Sequence, residues 1–303
     1  MNKLTMIFAL MLFTLTMNAQ ELPYYVPKFA ENSLFASQDA NLQQLLEKKL
    51  NANPQWRSLI RNKKLAVGLV DLRDVYNPKF AKVNGNEMMY AASLPKIAVL
   101  LAATDAIEKG ELKETREVKE DMRQMIAKSN NAATTRMIDR VGFKKIEKVL
   151  TDPRYKLYDK KRGGGLWVGK RYAASGARNP DPIKGLSHAA TVEQTCRFYY
   201  LLARGELVSQ ERSAQMLEYL GNPELHHKFV NTLDKIAPNA QIYRKSGSWK
   251  TYHSDSALVW GPNGRQYILT AMADDASGGE IMKELVYAVE EVLSESNKVL
   301  AIK

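Results

Sequence analysis

Apolar and polar positions alternate along this chain in a few distinct rhythms. From Asn41 to Leu50 the apolar positions are Leu42, Leu45, Leu46 and Leu50, a spacing that predicts a helix. Lys64 to Leu72 (KLAVGLVDL) is a compact apolar run and predicts a strand. Lys79 to Val83 predicts a second strand, with the VYNP turn between them. Leu94 to Lys109 is helical again and stops at Gly110. The helical rhythm returns in NAATTRMIDRV, which Gly142 follows, in KKIEKVL, and from about His188 to Leu220. Residues 151 to 187 break it. Gly163, Gly164, Gly165, Gly169, Gly176 and Gly185 gather there with Pro153, Pro180 and Pro182, predicting one long loop. So long a loop inside a compact domain is usually functional. Towards the C-terminus QIYRKSGSWKT, SDSALVWG and RQYILTAMAD predict three strands. Asn263 and Gly264 mark a hairpin between the last two. GGEIMKELVYAVEEVLSES predicts a terminal helix. The order predicts an α+β fold: an antiparallel sheet built from both chain ends and flanked by helices, with a helical lobe inserted between. There is no internal repeat and no low-complexity tract.

The first residues stand apart from this pattern. Lys3 precedes an apolar stretch, MIFALMLFTL, and then TMNAQ leads into polar sequence. Residues 1–19 therefore read as a secretory signal peptide cleaved after Ala19. The competing readings are a buried helix or an N-terminal anchor, and the run is short for a bilayer. No cysteine lies near the cleavage site to accept a lipid. An exported, secreted or periplasmic protein without a transmembrane segment is expected, and a monomer.

Composition adds less. The 303 residues, 45% of them hydrophobic, suffice for a sizeable core. Cys196 is the one cysteine, so the chain has no internal disulfide, and its helical context predicts a packed, inert thiol. Lys and Arg total 44 against 33 Asp and Glu. The basic residues are dispersed, and export argues against nucleic acid as partner. An anionic envelope, a substrate carboxylate or simple solubility accounts for the charge.

Three short motifs carry candidate chemistry. Ser93 and Lys96, in AASLPKIAVL, share one face of a helical start, with Pro95 suited to a first turn. A serine hydroxyl becomes a useful nucleophile once a base takes its proton. The helix N-terminus favours negative charge, and it and burial both lower a lysine pKa. The plain alternative is that Ser93 only caps the helix. An S-x-x-K is expected by composition about once in such a chain. KSNNAATT adds Ser129 and Asn131, an S-x-N at a helix start: a hydroxyl to relay a proton and an amide to hold substrate and Lys96. YRKSGSWK adds Lys245, Ser246 and Gly247 at the start of a strand. The lysine and hydroxyl suit a substrate carboxylate, and the glycine lets a ligand approach the backbone. For the last two motifs the alternatives are a helix cap and a strand-edge lysine. Each motif occurs in order on its expected element.

These motifs and the element order resemble the serine β-lactamase and penicillin-binding protein superfamily, most nearly class A β-lactamases, over nearly the whole mature chain. After the signal peptide (1–19), the resemblance implies one hydrolase domain (20–303). That domain would comprise an α/β lobe (20–92 plus 240–303) and a helical lobe (93–239), with the active site between them. It implies that Ser93 is acylated, Lys96 is the general base, Ser129 relays a proton and Asn131 positions substrate. It also implies that Lys245 and Ser246 bind a substrate carboxylate, and that the N–H groups of Ser93 and Ser248 form an oxyanion hole.

Four departures follow. Asn130 replaces the aspartate of S-D-N, at a mainly structural position. The stretch from Gly110 to Ser129 is short, which implies a more open site. No glutamate lies between Glu147 and Glu193, where class A enzymes carry the one that activates the deacylating water; Asp152, Asp159 and Asp181 are the carboxylates there, and KRYAASGAR stands in the catalytic part. Finally, Asp255 occupies the neighbourhood of a usual cationic residue, with Lys250 or His253 as substitutes. Slow deacylation is expected. GGLWVGKR nearly spells a phosphate-binding loop but has Arg171 where a hydroxyl is needed. His188, His226, His227 and His253 lack metal-ligand spacing, and no G-x-S-x-G occurs. No metal or cofactor is expected. The expected activity is hydrolysis of a β-lactam amide. The alternatives are a D-Ala-D-Ala carboxypeptidase or related amide hydrolase acting on a peptidoglycan peptide, and a non-catalytic binding protein.

Overall fold

Helix α1 (Ala40–Ala52) buries Leu42, Leu46 and Leu50 on one face, and Asp39 caps it by accepting from Leu42 N at 2.7 Å. Asn53 caps α2 (Pro54–Arg61), whose first position is Pro54. Strand β1 (Leu65–Asp71) is buried at every residue, as its unbroken apolar run requires of a central strand. β2 (Lys79–Val83) and the two-residue β3 (Met89–Tyr90) follow. The computed structural model describes residues 21–26 and 33–301; the expected signal segment 1–19 lies outside them.

Four helices come next: α3 (Lys96–Glu108), α4 (Arg116–Ala127), α5 (Asn131–Val141) and α6 (Phe143–Leu150). Every residue of α3 from Lys96 to Ile107 is buried. It is the axle of the helical region, which explains why its sequence is apolar all round. α4 is the one helix in the short stretch between Gly110 and Ser129.

Residues 151–187 depart from the single loop expected of them. β4 (Tyr158–Asp159) pairs with β5 (Gly164–Gly165), and β6 (Trp167–Val168) pairs with β7 (His188–Ala190). β7 also pairs with β3, so His188–Ala190 is a strand rather than the start of a helix. The helix expected there, α7 (Val192–Ala203), begins after Thr191, whose hydroxyl accepts from Gln194 N. α8 (Gln210–Leu220) and α9 (Phe229–Ile236) complete the middle of the chain.

β8 (Gln241–Trp249), β9 (Tyr252–Trp260) and β10 (Gln266–Asp274) are the three C-terminal strands, and α10 (Gly278–Ala301) ends the described residues. Asn263 and Gly264 both have positive φ, 61° and 74°, as the tight hairpin demands. The sheet order is β2-β1-β10-β9-β8, with every pair antiparallel. Leu65 stands opposite Ala273, so the two chain ends meet at the sheet's middle.

The sheet divides two apolar cores. Val67, Leu69, Val259 and Leu269 face α1, α9 and α10. Ala66, Val70, Leu258 and Ile268 face the other way, into a core that continues through α7 to α3 and its neighbours. Cys196 is buried there as expected; a Cβ on Gly68 would come within 2.8 Å of its Sγ. Among the described residues no helix is long and apolar enough to cross a membrane.

Candidate active site

Ser93 lies in a turn, not in the helix. α3 starts at Lys96, its cap position is Pro95, and no side chain caps it, so Ser93 is not an N-cap. The turn is held by Leu94 N donating to Ala91 O (3.1 Å) and by the left-handed Ala92, φ 49°. Positive φ at a residue with a Cβ is uncommon and concentrates at functional sites. Strand β8 presses on this turn. A Cβ on Gly247 would lie 2.3 Å from Ala91 O and 2.6 Å from Ser93 N, so only glycine lets the strand pass. The Ser254 hydroxyl donates to Ala91 O at 2.8 Å and fixes the same contact from β9.

Lys96 is fully buried at the first turn of α3. Its Nζ donates to Ser129 O (2.5 Å) and Asn131 Oδ1 (2.8 Å), with Ser129 Oγ at 3.3 Å. It does not bond Ser93 Oγ. Burial lowers its pKa to about 7, and the positive end of α3 acts in the same sense. Ser129 is a second left-handed residue, φ 55°. Asn130, the departure from S-D-N, caps α5: its Oδ1 accepts from Ala133 N at 2.9 Å. An amide does there what a carboxylate would, which leaves Ser129 and Asn131 positioned on either side of the cap.

Lys245 reaches the same spot from β8. Its Nζ donates to Ser129 Oγ at 2.9 Å and to Ser246 O at 2.7 Å. Burial first, and Lys96 second, hold its pKa well below the usual lysine range. Ser129 is thus the bridge between two buried amines. Next to Lys245 on β8, the Ser246 hydroxyl is approached by His227 Nε2 at 3.3 Å. Burial lowers the His227 pKa to about 4, so the ring is neutral at pH 7. Behind them Arg244 and Asp255 form a buried bidentate pair, 2.7 and 2.8 Å. Lys228 Nζ donates to Gly247 O (2.5 Å) and Ser254 O (3.1 Å), tying the glycine of the strand to a neighbour beneath it. Ser248 is exposed at the strand's end. Neither expected cation, Lys250 or His253, contacts Ser246. Lys250 sits in the β8–β9 turn with φ 52°, and the His253 ring lies against Gly278. His227, which sequence reasoning missed, stands there instead.

The carboxylates of residues 151–187 are all engaged elsewhere. Asp152 accepts from the Arg154 guanidinium, and Asp159 from Lys161 N. Asp181 is buried, accepting from Ile183 N, Lys184 N, Leu186 N and the Tyr158 hydroxyl. The residue from this region that does meet Lys96 is Tyr172. Its ring centroid lies 4.6 Å from Lys96 Nζ and its hydroxyl donates to Ala92 O at 2.9 Å. Tyr172 belongs to KRYAASGAR, whose irregular pattern gives no hint of that contact. No described carboxylate pairs with Lys96.

The model of the "Beta-lactamase enzyme family" matches residues 53–123 and 114–292 of this chain. No curated protein matches its sequence. Among solved structures, a β-lactamase from Sphaerobacter thermophilus DSM 20745 is similar at TM-score 0.64 and 17% identity, over 82% of this chain and 97% of that one. PBP-A is similar at TM-score 0.62 and 18% identity, over 85% and 97%. A β-lactamase from Chitinophaga pinensis DSM 2588 is similar at TM-score 0.61 and 14% identity, over 80% and 97%. At these identities the structures establish a shared class A β-lactamase fold.

Proposed function

Because this chain belongs to the β-lactamase enzyme family, we propose that it is an active-site-serine hydrolase that forms an acyl-enzyme on Ser93. The observation that carries the reading is a connected set of hydrogen bonds next to the Ser93 turn: Lys96 bonds Ser129 and Asn131, and Lys245 bonds Ser129 from the other side. A lysine titrating at about 7 supplies a substantial neutral fraction at physiological pH. The neutral amine keeps two hydrogens for Ser129 O and Asn131 Oδ1 and frees its lone pair for the Ser93 proton. Ser93 Oγ then bonds to the β-lactam carbonyl carbon as the C–N bond opens. The proton passes from Lys96 through the Ser129 hydroxyl to the departing nitrogen. General-base help of this kind contributes about 10²–10⁴-fold. The N–H groups of Ser93 and Ser248 receive the oxyanion, each worth about 3–4 kcal/mol in such sites. Lys245 and the Ser246 hydroxyl, with His227 beside it, take the substrate carboxylate. That negative charge favours the protonated form of Lys245.

Hydrolysis of the ester is the slow step in this reading, because Asp152, Asp159 and Asp181 are bonded away from Ser93 and Tyr172 occupies the Lys96 face. A point mutant of PBP-A, similar to this chain at TM-score 0.62 and 19% identity, is described as an acyl-enzyme complex with penicillin G. The same lack of a water-activating carboxylate favours a second reading, a D-Ala-D-Ala carboxypeptidase or related amide hydrolase. Intact-mass analysis over time after mixing with penicillin is the test. A persistent adduct on Ser93, absent in Ser93→Ala with an unchanged circular dichroism spectrum, is expected. Labelling that survives in Ser93→Ala removes the nucleophile from the reading, and rapid turnover with no adduct removes slow deacylation. D-Ala release from a peptide ending in D-Ala-D-Ala, with little turnover of a chromogenic cephalosporin, selects the second reading.

A further inference from the structure

Tyr172 is the residue of the loop between β6 and β7 that reaches the centre of the site. Three sets of contacts hold it there. Lys170 forms an isolated antiparallel bridge with Arg178, closing the loop on itself. A Cβ on Gly169 would lie 1.8 Å from Asn179 O, so the loop crosses itself at a glycine. The Trp167 indole donates to Asn179 O at 2.7 Å on the same crossing. His188 then pins the loop from β7. Its Nε2 donates to Lys170 O at 3.0 Å, so Nδ1 is the acceptor for the Ser187 hydroxyl at 3.1 Å. Burial keeps this imidazole neutral, with a pKa lowered to about 4. Its ring lies 4.2 Å from that of Tyr172, tilted by 44°. The far side of His188 meets Tyr90 edge-on at 6.0 Å.

The loop's closure thus ends in an aromatic ring set over an amine. Lys96 Nζ lies 4.6 Å from the ring centroid, a cation–π distance. The titratable groups facing that amine are Lys245 from β8, His188 from β7 and Tyr172 itself; Ser129, in the turn before α5, and Asn131, the first residue of α5, also face it. None is a carboxylic acid. The Tyr172 hydroxyl spans the remaining gap to Ala92 O. Ala92 is the left-handed residue immediately before Ser93, and a bound carbonyl fixes a conformation that otherwise costs energy.

We propose that Tyr172 is a positioning residue of this site: its ring roofs the Lys96 amine and excludes water from it, and its hydroxyl fastens the Ala92–Ser93 turn, so that base and nucleophile are held by one side chain. The ring and the hydroxyl are separable. Tyr172→Phe keeps the roof and loses the fastening. Tyr172→Ala loses both and admits water to an ammonium it can then solvate. Hydration favours the charged form and the lost cation–π contact opposes it. The first is the larger, because burial is what lowers the Lys96 pKa.

The mechanistic consequence rests on the proposed roles of Ser93 and Lys96, but the roof itself can be tested without a β-lactam. Competitive acetylation with acetic anhydride across pH, read by mass spectrometry at Lys96 against an exposed lysine, gives the titration midpoint of the amine in the intact chain. In the wild type and Tyr172→Phe the midpoint is expected near 7. In Tyr172→Ala it is expected to rise by about one unit or more. Tyr90→Ala removes a ring from the same aromatic cluster without touching Lys96 and is expected to leave the midpoint in place. An unmoved midpoint in Tyr172→Ala, or an equal shift in Tyr90→Ala, overturns the roof. Penicillin acylation is the second readout. Tyr172→Phe is expected to acylate about tenfold more slowly than wild type with the same pH midpoint; an unchanged rate overturns the fastening. If wild-type Ser93 takes no adduct, the proposed function falls, while the Lys96 midpoints still decide whether Tyr172 is the roof.

Discussion

Lys96 carries the sharpest prediction at the scale of one residue. Its folded-state pKa of about 7 means that below this pH the amine holds a proton and cannot accept another. Acylation of Ser93 is therefore expected to rise about tenfold per pH unit up to roughly 7 and to level above it. Stopped-flow labelling with a fluorescent penicillin measures this, and a flat profile between pH 5 and 8 would count against Lys96 as base. Lys96→Arg, which stays protonated throughout, should lose about 10²–10⁴-fold in rate. At this scale the motifs were legible because each joins a nucleophile, base or cation to its neighbours by a short, fixed spacing. Tyr172 and His227 were not. Their contacts to Lys96 and Ser246 close distances of 76 and 19 residues along the chain from irregular segments, which have no period to betray them. Lys250 and His253 misled for the converse reason. A strand position names a face, but the turn at Lys250 and the packing of His253 on Gly278 decide what the side chain meets.

Strand β8 and helix α5 bring the motifs together, and each depends on a local device. Gly247→Ala drives a methyl to 2.3 Å from Ala91 O, a backbone atom that cannot swing aside. The variant is expected to lose about 1–3 kcal/mol of stability by urea unfolding. Acylation should fall by more than that loss of folded protein explains, because the displaced strand carries Ser248 and Lys245 away from Ser93. For α5 the device is the Asn130 cap. Asn130→Ala should cost about 1 kcal/mol, and Asn130→Asp should restore most of it, since either side chain can accept from Ala133 N. Equal stability of all three would show that the cap is idle. Most of the long helices and the main strands were evident from their apolar pattern, but α4, like the short α2 and α9, was not expected from it. The short pairings within residues 151–187 were hidden because two-residue strands cannot display a period. His188–Ala190 resembles a helix start because Ala189 and Ala190 suit either state, and only their partners on β3 and β6 choose.

Across the whole molecule, three buried amines share one electrostatic fate. Lys96, Lys228 and Lys245 all titrate below the ordinary lysine value of 10.5, chiefly through burial. In the unfolded chain they regain it. Between about 7 and 10 the unfolded state therefore binds more protons than the folded one, and stability rises with pH. The thermal midpoint is expected to be higher at pH 9 than at pH 7, with a shallower rise in Lys228→Met. A midpoint that falls over this interval would contradict the burial of these amines. The overall architecture was foreseeable because apolar runs at both ends flank a helical middle. That the sheet order is β2-β1-β10-β9-β8 required the pairings themselves.

The pairing of Leu65 with Ala273 carries a consequence for biogenesis. A ribosome delivers β1 and β2 some two hundred residues before β10 emerges. Until then the nascent chain holds an apolar hairpin with one open edge, and no sequence already made can close it. Contacts so distant make folding slow and expose the edge to other chains. A C-terminal truncation that removes β10 should therefore yield aggregates instead of a smaller native fold.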